Sequence, residues 1–364
     1  MTLEKLYEKI NDGGRIDEDE ALRLLLEAGL LELGRLAQKR AALRHDPCRA
    51  TFLIDRNINY TNICTSKCRF CAFYRDKDAP DAYVLSPDAI LEKVAEAVQL
   101  GATQIMLQGG LNPGLGLSWF EDVLQRIKQR FTIFVHSFSP PEIHHLAKKE
   151  QLSCEEVIVR LRDAGLDSIP GAGAEILTDG VRARISPEKI SGSTWLDVME
   201  AAHRVGLKTT ATMMMGSVET PHDRIEHLRL LRGLQDKTGG FRAFIPWTFK
   251  AGNTELGGAE TSSLDYLRTL ALSRIYLDNI DNIQGSWVTQ GKDIGQMTLF
   301  FGANDLGSIM LEENVVSAAG SSNCITEAEM VELIRHAGKQ PAQRDTEYRI
   351  VKTYPELSDF TKND

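Results

Sequence analysis

From Thr51 onward, short apolar runs alternate regularly with longer amphipathic segments, and this alternation limits the possible folds strongly. An eighth run near MTLFFGAND follows seven strand candidates, which are TFLIDRNINY, TQIMLQGG, FTIFVHSF, LDSIPGAG, KTTATMMMG, FRAFIPWTF and NIQGSWVTQ. Each run is apolar enough to be buried on both faces, which is typical of parallel sheets covered by helices. The pattern predicts an α/β fold with a (β/α) TIM-type barrel. A doubly wound sheet is the alternative, but such sheets rarely sustain so many regular repeats.

Helical segments extend the predicted barrel at both ends. Residues 16–45 are rich in Leu, Ala, Glu and Arg at helical spacing, so residues 1–48 form a predicted helical N-terminal extension. Residues 49–323 form the predicted barrel, in which Ser86 and Pro87 begin one helix and Gly101 ends it. Residues 324–364 are predicted as a C-terminal helix, capped by Thr326, and a polar tail that wraps the barrel surface.

The charge and the apolar runs restrict the class of partner. The formal net charge is -9, which disfavours nucleic acid and anionic membranes and favours a small-molecule or protein partner. No apolar run approaches the ~20 residues of a membrane span, and the start MTLEKLYEKINDGG is more charged than a signal peptide. We therefore expect a cytoplasmic protein that binds neither nucleic acid nor membrane.

Three of the six cysteines, Cys64, Cys68 and Cys71, lie within the eight-residue segment CTSKCRFC. In a reducing compartment such a cluster indicates metal binding or catalysis rather than disulfides. A structural zinc ion takes four protein ligands, and His45 or His136 could supply the fourth. Three thiolates on a 4Fe-4S cluster would instead leave one iron open, as a catalytic cluster requires. A zinc or iron-sulfur binding module without catalysis is the non-enzyme alternative.

Polar and glycine-rich segments directly follow the predicted strands, where a parallel barrel places its catalytic groups. In chain order, these are CTSKCRFC, then Gly109 and Gly110, then Ser137 and Ser139, then residues 171–175, and then residues 216–219.

The CxxxCxFC spacing resembles that of the radical S-adenosylmethionine (SAM) enzymes. The resemblance implies that Cys64, Cys68 and Cys71 bind a 4Fe-4S cluster whose open iron chelates the amino and carboxylate groups of SAM. An electron from the cluster then breaks a sulfur–carbon bond and releases a 5′-deoxyadenosyl radical. An electron donor such as a flavodoxin or ferredoxin is implied as a partner.

The same resemblance assigns further contacts with SAM. Phe70 matches the aromatic position against the adenine, and Gly216 and Glu219 match a motif near the adenine. Leu111 stands where many of these enzymes carry Glu, directly after a glycine motif that approaches the methionine amino group. An ordinary turn is the alternative for each isolated glycine pair. The other predicted SAM contacts are Tyr74, Gln108, Gly109, Gly110, Ser137 and Glu175.

Longer segments resemble the cyclic dehypoxanthine futalosine synthase family of the futalosine route to menaquinone. These segments are DRNINYTNICTSKCRFCAFYR, QGGLNP, FSPPEI, AGLDSIPGAGAEIL, TTATMMMGSVET and GGFRAFIPWTF. Aminofutalosine synthase and the deazaflavin-forming synthases share parts of this pattern and are the alternatives. Ala172 is a small departure, since the related PGGGAE form has Gly there. The AFYR and IPWTF segments favour the cyclase.

The resemblance implies an intramolecular carbon–carbon bond formation in dehypoxanthine futalosine. The 5′-deoxyadenosyl radical removes the ribose 4′ hydrogen, and the resulting carbon radical adds to the benzoate ring. Loss of one electron and one proton then restores aromaticity. In the aminofutalosine synthase alternative, an adenosyl radical adds to an enolpyruvyl benzoate.

This chemistry requires a carboxylate-binding group and a base. Arg56, His145 and Ser137 are candidates to bind the substrate carboxylate, although Arg56 would be structural if it paired with a neighbouring acid. The base is not identified by the sequence, and its candidates are Glu175, His145 and Asp305. Candidates to line the substrate pocket are Asn304, Asp305 and Glu312.

Overall fold

The computed structural model describes residues 2–321 and 323–355, and parallel strands within this part of the chain close into a barrel. The first barrel strand has two halves, β1 (Arg49–Leu53) and β2 (Asp55–Ile58). The following strands are β3 (Gln104–Leu107), β4 (Phe134–Val135), β5 (Ser168–Ile169), β6 (Lys208–Met215), β7 (Phe241–Thr248), β8 (Asn282–Ile283) and β9 (Asp305–Ser308).

Parallel pairing joins neighbouring strands around the whole ring. The half-strand β2 pairs with β3, β3 with β4, β5 with β6, β6 with β7, β7 with β8, and β9 with β1. Parallel bridges from His136 to Ser168 and from Gln284 to Asp305 complete the two remaining junctions. The predicted TIM-type barrel is thereby confirmed.

Helices cover the outside of the ring and extend it at both ends. They are α1 (Leu3–Asn11), α2 (Glu18–Glu27), α3 (Leu30–Ala42), α4 (Pro87–Gln99), α5 (Leu117–Arg130), α6 (Pro140–Glu150), α7 (Cys154–Ala164), α8 (Asp179–Ile185), α9 (Gly192–Arg204), α10 (Pro221–Thr238), α11 (Ser263–Tyr276), α12 (Trp287–Gln290), α13 (Lys292–Thr298), α14 (Val315–Ala318) and α15 (Glu327–His336). Ser86 caps α4 and Thr326 caps α15 through their side-chain oxygens, as the sequence predicts. Among the described residues, no helix combines the length and the apolar character of a membrane span.

The N-terminal extension packs its apolar face against the barrel helices. Leu33 and Leu36 of α3 are fully buried, and Arg268 of α11 donates a hydrogen bond of 2.6 Å to the carbonyl of Ala28. A Cβ atom on Gly34 would lie 3.0 Å from the Phe301 ring. The glycine therefore permits the close approach of α3 to the barrel.

The eighth strand lies a few residues beyond its predicted place. The run MTLFF ends α13 and enters a turn, whereas the strand itself is Asp305–Ser308. Leu299 and Phe301 are buried in that turn, and Phe301 packs against Gly34. The run is apolar because it contacts the N-terminal extension, so hydrophobicity alone misplaced the strand.

The polar C-terminal segment forms a strand pair in addition to the predicted helix. Strand β10 (Gln340–Arg344) pairs in parallel with β1, and β11 (Ile350–Thr353) pairs antiparallel with β10. The prediction of a wrapping tail did not include these strands. The polar residues of β10 are satisfied inside the protein, since Arg344 Nε lies 2.6 Å from Asp305 Oδ2.

Candidate active site

A cavity of about 450 Å³ opens at the carboxyl ends of the strands and continues into the barrel. It collects side chains from loops after several strands, as expected for catalysis in this fold. The predicted residues that line it are Cys64, Cys68, Phe70, Cys71, Tyr74, Gln108, Gly109, Gly110 and Glu175.

All three cysteines of CTSKCRFC face this cavity from one loop. The loop is fixed by backbone hydrogen bonds of 3.1 Å from Cys64 N–H to the Arg75 carbonyl and from Thr65 N–H to the Leu111 carbonyl. Burial raises the pKa of the Cys68 thiol to about 12. Since a thiolate is the ligand form, a bound cation would have to supply the charge that ionises Cys68.

The two histidines considered as a fourth ligand have other partners. His45 Nε2 lies 2.7 Å from the carbonyl oxygen of Asp281. His136 lines the cavity, but its Nδ1 lies 2.8 Å from Ser168 Oγ. Three thiols on one loop fit a 4Fe-4S cluster with one open iron, which is the donor set that a catalytic cluster needs.

Gly109 and Gly110 bring the loop after β3 against the cysteine loop. A Cβ atom on Gly110 would lie 2.2 Å from the Ile63 carbonyl oxygen and 2.8 Å from Cys64 Cβ. A Cβ atom on Gly109 would lie 2.6 Å from the Tyr60 ring. No other residue type fits at this approach, so the two glycines shape the cavity next to the predicted cluster ligands.

Glu142 is a cavity residue that the sequence analysis did not identify. It is 5% exposed, and its Oε1 accepts hydrogen bonds from the Tyr60 hydroxyl (2.6 Å) and from Gly109 N–H (3.2 Å). Burial raises the pKa of Glu142 to about 7. The carboxylate of Glu142 thus lies beside the glycine motif, whereas Leu111, which follows that motif in the sequence, has no carboxylate. In the sequence, Ser139 and Glu142 match a helix-capping pattern, so the sequence does not indicate that Glu142 lies in the cavity.

Glu175 forms an ion pair with Lys189, a second residue that the sequence analysis missed. Lys189 Nζ lies 2.6 Å from Glu175 Oε1 and 5.2 Å from the centre of the Phe70 ring. Burial lowers the pKa of Lys189, but the nearby Cys68 and Glu175 outweigh burial, so the pKa is raised and Lys189 stays charged. In the sequence, Lys189 belongs to an unremarkable polar loop.

Gly216, Glu219 and Ser137 do not line the cavity as the structure describes it. Glu219 Oε1 accepts a hydrogen bond of 2.6 Å from Gly216 N–H and lies 2.9 Å from Arg224 Nη2. Ser137 Oγ accepts a hydrogen bond of 2.9 Å from Leu107 N–H. These contacts organise the loop after β6 and the junction of β3 and β4, and the predicted contacts with SAM stay predictions.

The predicted substrate residues Arg56 and Glu312 also lie outside the cavity lining. They bind each other at 2.6 Å, which is the structural alternative considered for Arg56. Glu312 also binds Lys93 Nζ at 2.8 Å. The structure therefore does not place either charge where a substrate in the cavity would contact it.

The remaining predicted residues are Asn304, Asp305 and His145, and none of them is among the cavity-lining residues. Asn304 Oδ1 accepts a hydrogen bond of 2.7 Å from Arg274. Asp305 is fully buried and bound to Arg344. His145 lies on α6, and burial lowers its pKa. Of the three candidate bases, the structure brings Glu175 alone into the cavity that it describes.

Comparison with known proteins identifies two matching family models. Radical SAM superfamily matches residues 58–231, and CofH/MqnC C-terminal region matches residues 238–357. Among solved structures, methylornithine synthase has a TM-score of 0.74 at 18% identity, covering 93% of this chain and 97% of that chain. An FeFe-hydrogenase maturase from Carboxydothermus hydrogenoformans has a TM-score of 0.76 at 17% identity, with 95% and 80% coverage. At these identities the likeness concerns the fold alone.

Curated relatives are considerably more similar in sequence. Cyclic dehypoxanthine futalosine synthase of Streptomyces coelicolor is 48% identical over 351 residues, which cover 95% of this chain and 88% of the relative. The enzyme of that name from Halalkalibacterium halodurans is 44% identical, with 97% and 96% coverage. The 5-amino-6-(D-ribitylamino)uracil–L-tyrosine 4-hydroxyphenyl transferase of Methanopyrus kandleri is 42% identical, with 94% and 95% coverage. The chain therefore belongs to the radical SAM enzymes, in the family that contains the cyclic dehypoxanthine futalosine synthases, and it uses a 4Fe-4S cluster and SAM.

Proposed function

We propose that this enzyme converts dehypoxanthine futalosine to cyclic dehypoxanthine futalosine. The observation that carries the proposal is the 48% identity to a cyclic dehypoxanthine futalosine synthase over 95% of the chain. The aligned length includes both the barrel and the C-terminal region, and both contribute residues to the cavity lining. The identity is also higher than the 42% to the tyrosine transferase.

The residues of the cavity suit this chemistry in three ways. When bound, the cluster and SAM supply a 5′-deoxyadenosyl radical that removes a hydrogen atom from the substrate. Cys64, Cys68 and Cys71, which line the cavity, would hold the cluster. Apolar side chains of Met106, Ile245, Trp247, Trp287 and Leu306 form part of the cavity wall, where they disfavour water. Exclusion of water protects a reactive carbon radical until the new bond forms.

Restoring the aromatic ring requires a base, and three buried carboxylates line the cavity: Asp55, Glu142 and Glu175. Glu142 and Glu175 are the two that lie beside residues of the predicted SAM site, Gly109 and Phe70. Glu175 is neutralised by Lys189. Glu142 receives hydrogen bonds from neutral groups, and its pKa is raised to about 7. A base whose pKa lies near the working pH is effective in proton transfer. Glu142 is therefore our candidate for the group that takes the aromatising proton.

A product assay tests the proposed function. Anaerobically reconstituted enzyme is incubated with SAM, dithionite and dehypoxanthine futalosine, and the products are analysed by mass spectrometry. We expect 5′-deoxyadenosine and a product that lacks two hydrogens of the substrate. Cys68→Ala should abolish both products, whereas Cys154→Ala, outside the cavity lining, should leave them unchanged. SAM cleavage without the cyclic product would contradict the proposal.

The tyrosine transferase reaction is the second candidate, because the Methanopyrus kandleri relative is 42% identical over 94% of the chain. The same assay with tyrosine and 5-amino-6-(D-ribitylamino)uracil distinguishes the two reactions. Both candidate substrates carry a polyhydroxylated group, the ribose in one and the ribityl chain in the other. We propose a flavodoxin or ferredoxin as the natural electron donor, and replacement of dithionite by each reduced protein tests it.

A further inference from the structure

The inner face of the first barrel strand presents polar side chains to the cavity. Asp55 and Asn57 of β2 line the cavity, whereas Arg56 between them contacts α4 through the carbonyl of Lys93 and the carboxylate of Glu96. Side chains alternate between the two faces of a strand, so Asp55 and Asn57 share the inward face. Their Cα atoms are roughly 7 Å apart at the usual rise of a strand.

Each of these side chains has an oxygen atom without a hydrogen-bond donor among the described residues. Asp55 Oδ2 accepts a hydrogen bond of 2.7 Å from Gln104 Nε2, but its Oδ1 accepts none. Asn57 Oδ1 accepts none either. The two residues are 3% and 6% exposed. Buried acceptors usually have partners, because an unsatisfied one is destabilising.

Asn59, the next residue on the inward face, differs because its side chain has hydrogen-bond partners. Asn59 also lines the cavity, and its Oδ1 accepts a hydrogen bond of 3.1 Å from Asn314 Nδ2. Its Nδ2 donates to the Gln108 carbonyl at 3.1 Å. The missing donors are therefore specific to Asp55 and Asn57, deeper in the barrel, and do not characterise the strand as a whole.

We propose that Asp55 and Asn57 bind the hydroxyl groups of the ribose-derived part of the substrate. Two acceptors on one wall select a ligand with several O–H donors. The inference rests on the proposed function and identifies which part of the substrate this wall recognises.

The test combines deoxygenated substrates with wall variants. Dissociation constants of dehypoxanthine futalosine and its 2′-deoxy and 3′-deoxy analogues are measured calorimetrically with cluster-loaded, SAM-bound enzyme. We expect at least one deoxygenation to weaken binding to the wild type about tenfold or more, since a buried polar group is then left unpaired. In Asn57→Leu or Asp55→Leu, each of which removes one acceptor, the same deoxygenation should weaken binding much less. The matched control Asn59→Leu should keep the wild-type ratio.

Two results would overturn the inference. One is equal affinity of the wild type for all three compounds, which needs no variant and is independent of any folding defect. The other is an unchanged deoxygenation penalty in both folded variants. If the wild type binds no dehypoxanthine futalosine, the proposed function fails separately. The same comparison with 5-amino-6-(D-ribitylamino)uracil and its deoxyribityl analogues then decides the inference by the same two criteria.

Discussion

Glu142 and Glu175 are both buried carboxylates of the cavity, and they differ in what stabilises their charge. Lys189 supplies a full positive charge to Glu175 at 2.6 Å. Glu142 has the Tyr60 hydroxyl, the Ser139 hydroxyl and Gly109 N–H, all of which are neutral donors. Neutral hydrogen bonds offset burial only in part. Removal of a hydrogen-bond partner therefore has different consequences for the two acids.

Ionisation of Glu142 should destabilise the folded protein as pH rises. Its folded pKa of about 7 lies above the ordinary value of 4.5, so the folded state holds the proton more tightly than the unfolded state. The free energy of unfolding therefore falls as pH rises from about 4.5 to about 7, and the total loss above pH 7 is about 3 kcal/mol. We expect Glu142→Gln to be more stable than the wild type at pH 8 and similar to it near pH 5.

Urea unfolding at the two pH values measures this difference. The control is Glu150→Gln on the same helix, where the carboxylate accepts a hydrogen bond from Leu117 N–H outside the cavity lining. The control should leave the pH dependence unchanged. Equal destabilisation of Glu142→Gln at both pH values would show that its charge carries no cost.

Removal of Lys189 should leave Glu175 as an uncompensated buried charge. We expect Lys189→Met to lower the free energy of unfolding by about 3 kcal/mol, and Lys189→Met/Glu175→Leu to recover most of the loss. Lys250→Met is the matched control, because Lys250 pairs with an acid, Glu260, that is 68% exposed. Its effect should stay below about 1 kcal/mol. No recovery in the double variant would contradict the pairing.

At the scale of elements, the N-terminal helices and the C-terminal strand pair hold the barrel from outside. Helix α3 approaches so closely that Gly34 touches the Phe301 ring. Strand β10 extends the sheet beside β1 and brings Arg344 to Asp305. Neither contact is visible in the local sequence pattern, because each joins residues that are far apart in the chain.

A leucine at Gly34 should displace α3 from the barrel. We expect Gly34→Leu to destabilise the protein by about 2 kcal/mol, as overpacking usually does. Gly233→Leu is the matched control in α10, since no atom lies within 4 Å of a Cβ atom there. That control should stabilise the protein by about 0.5–1 kcal/mol through helix propensity. Thermal unfolding of both variants checks the contrast, and a stabilising Gly34→Leu would show that α3 is not held at this contact.

For the whole molecule, the alternation of apolar runs predicted the barrel well because each run is local and periodic. The positions of the cysteine loop and of Gly109 and Gly110 at the cavity were also predictable, since each segment directly follows a predicted strand, whereas Gly216 does not line the cavity. The positions of Lys189 and Glu142 were not, because Lys189 reaches the cavity from a loop and Glu142 from the first turn of α6, and both placements depend on the closed ring. Arg56 was misleading for the same reason: its partner Glu312 becomes a neighbour only after folding.

The closed ring should fold without its cofactors. Its hydrogen bonds run between strands, and the cysteine loop lies after β2 rather than within the ring. We expect iron-free protein to keep its far-ultraviolet circular dichroism and a cooperative melt. SAM should raise the melting temperature of the cluster-loaded form, because a hundredfold excess over Kd adds about 2.7 kcal/mol to the free energy of unfolding. Loss of the circular dichroism signal on iron removal would contradict this expectation.

The pairing of β1 has a consequence for synthesis of the chain. Arg49 pairs with Gln340, and Thr51 pairs with Asp305. Both neighbours of this early strand are thus translated near the end, so its edges stay open while the ribosome makes most of the protein. Contacts between such distant segments form slowly and leave nascent chains prone to aggregation. Molecular chaperones that shield exposed strand edges during translation should therefore increase the yield of this enzyme.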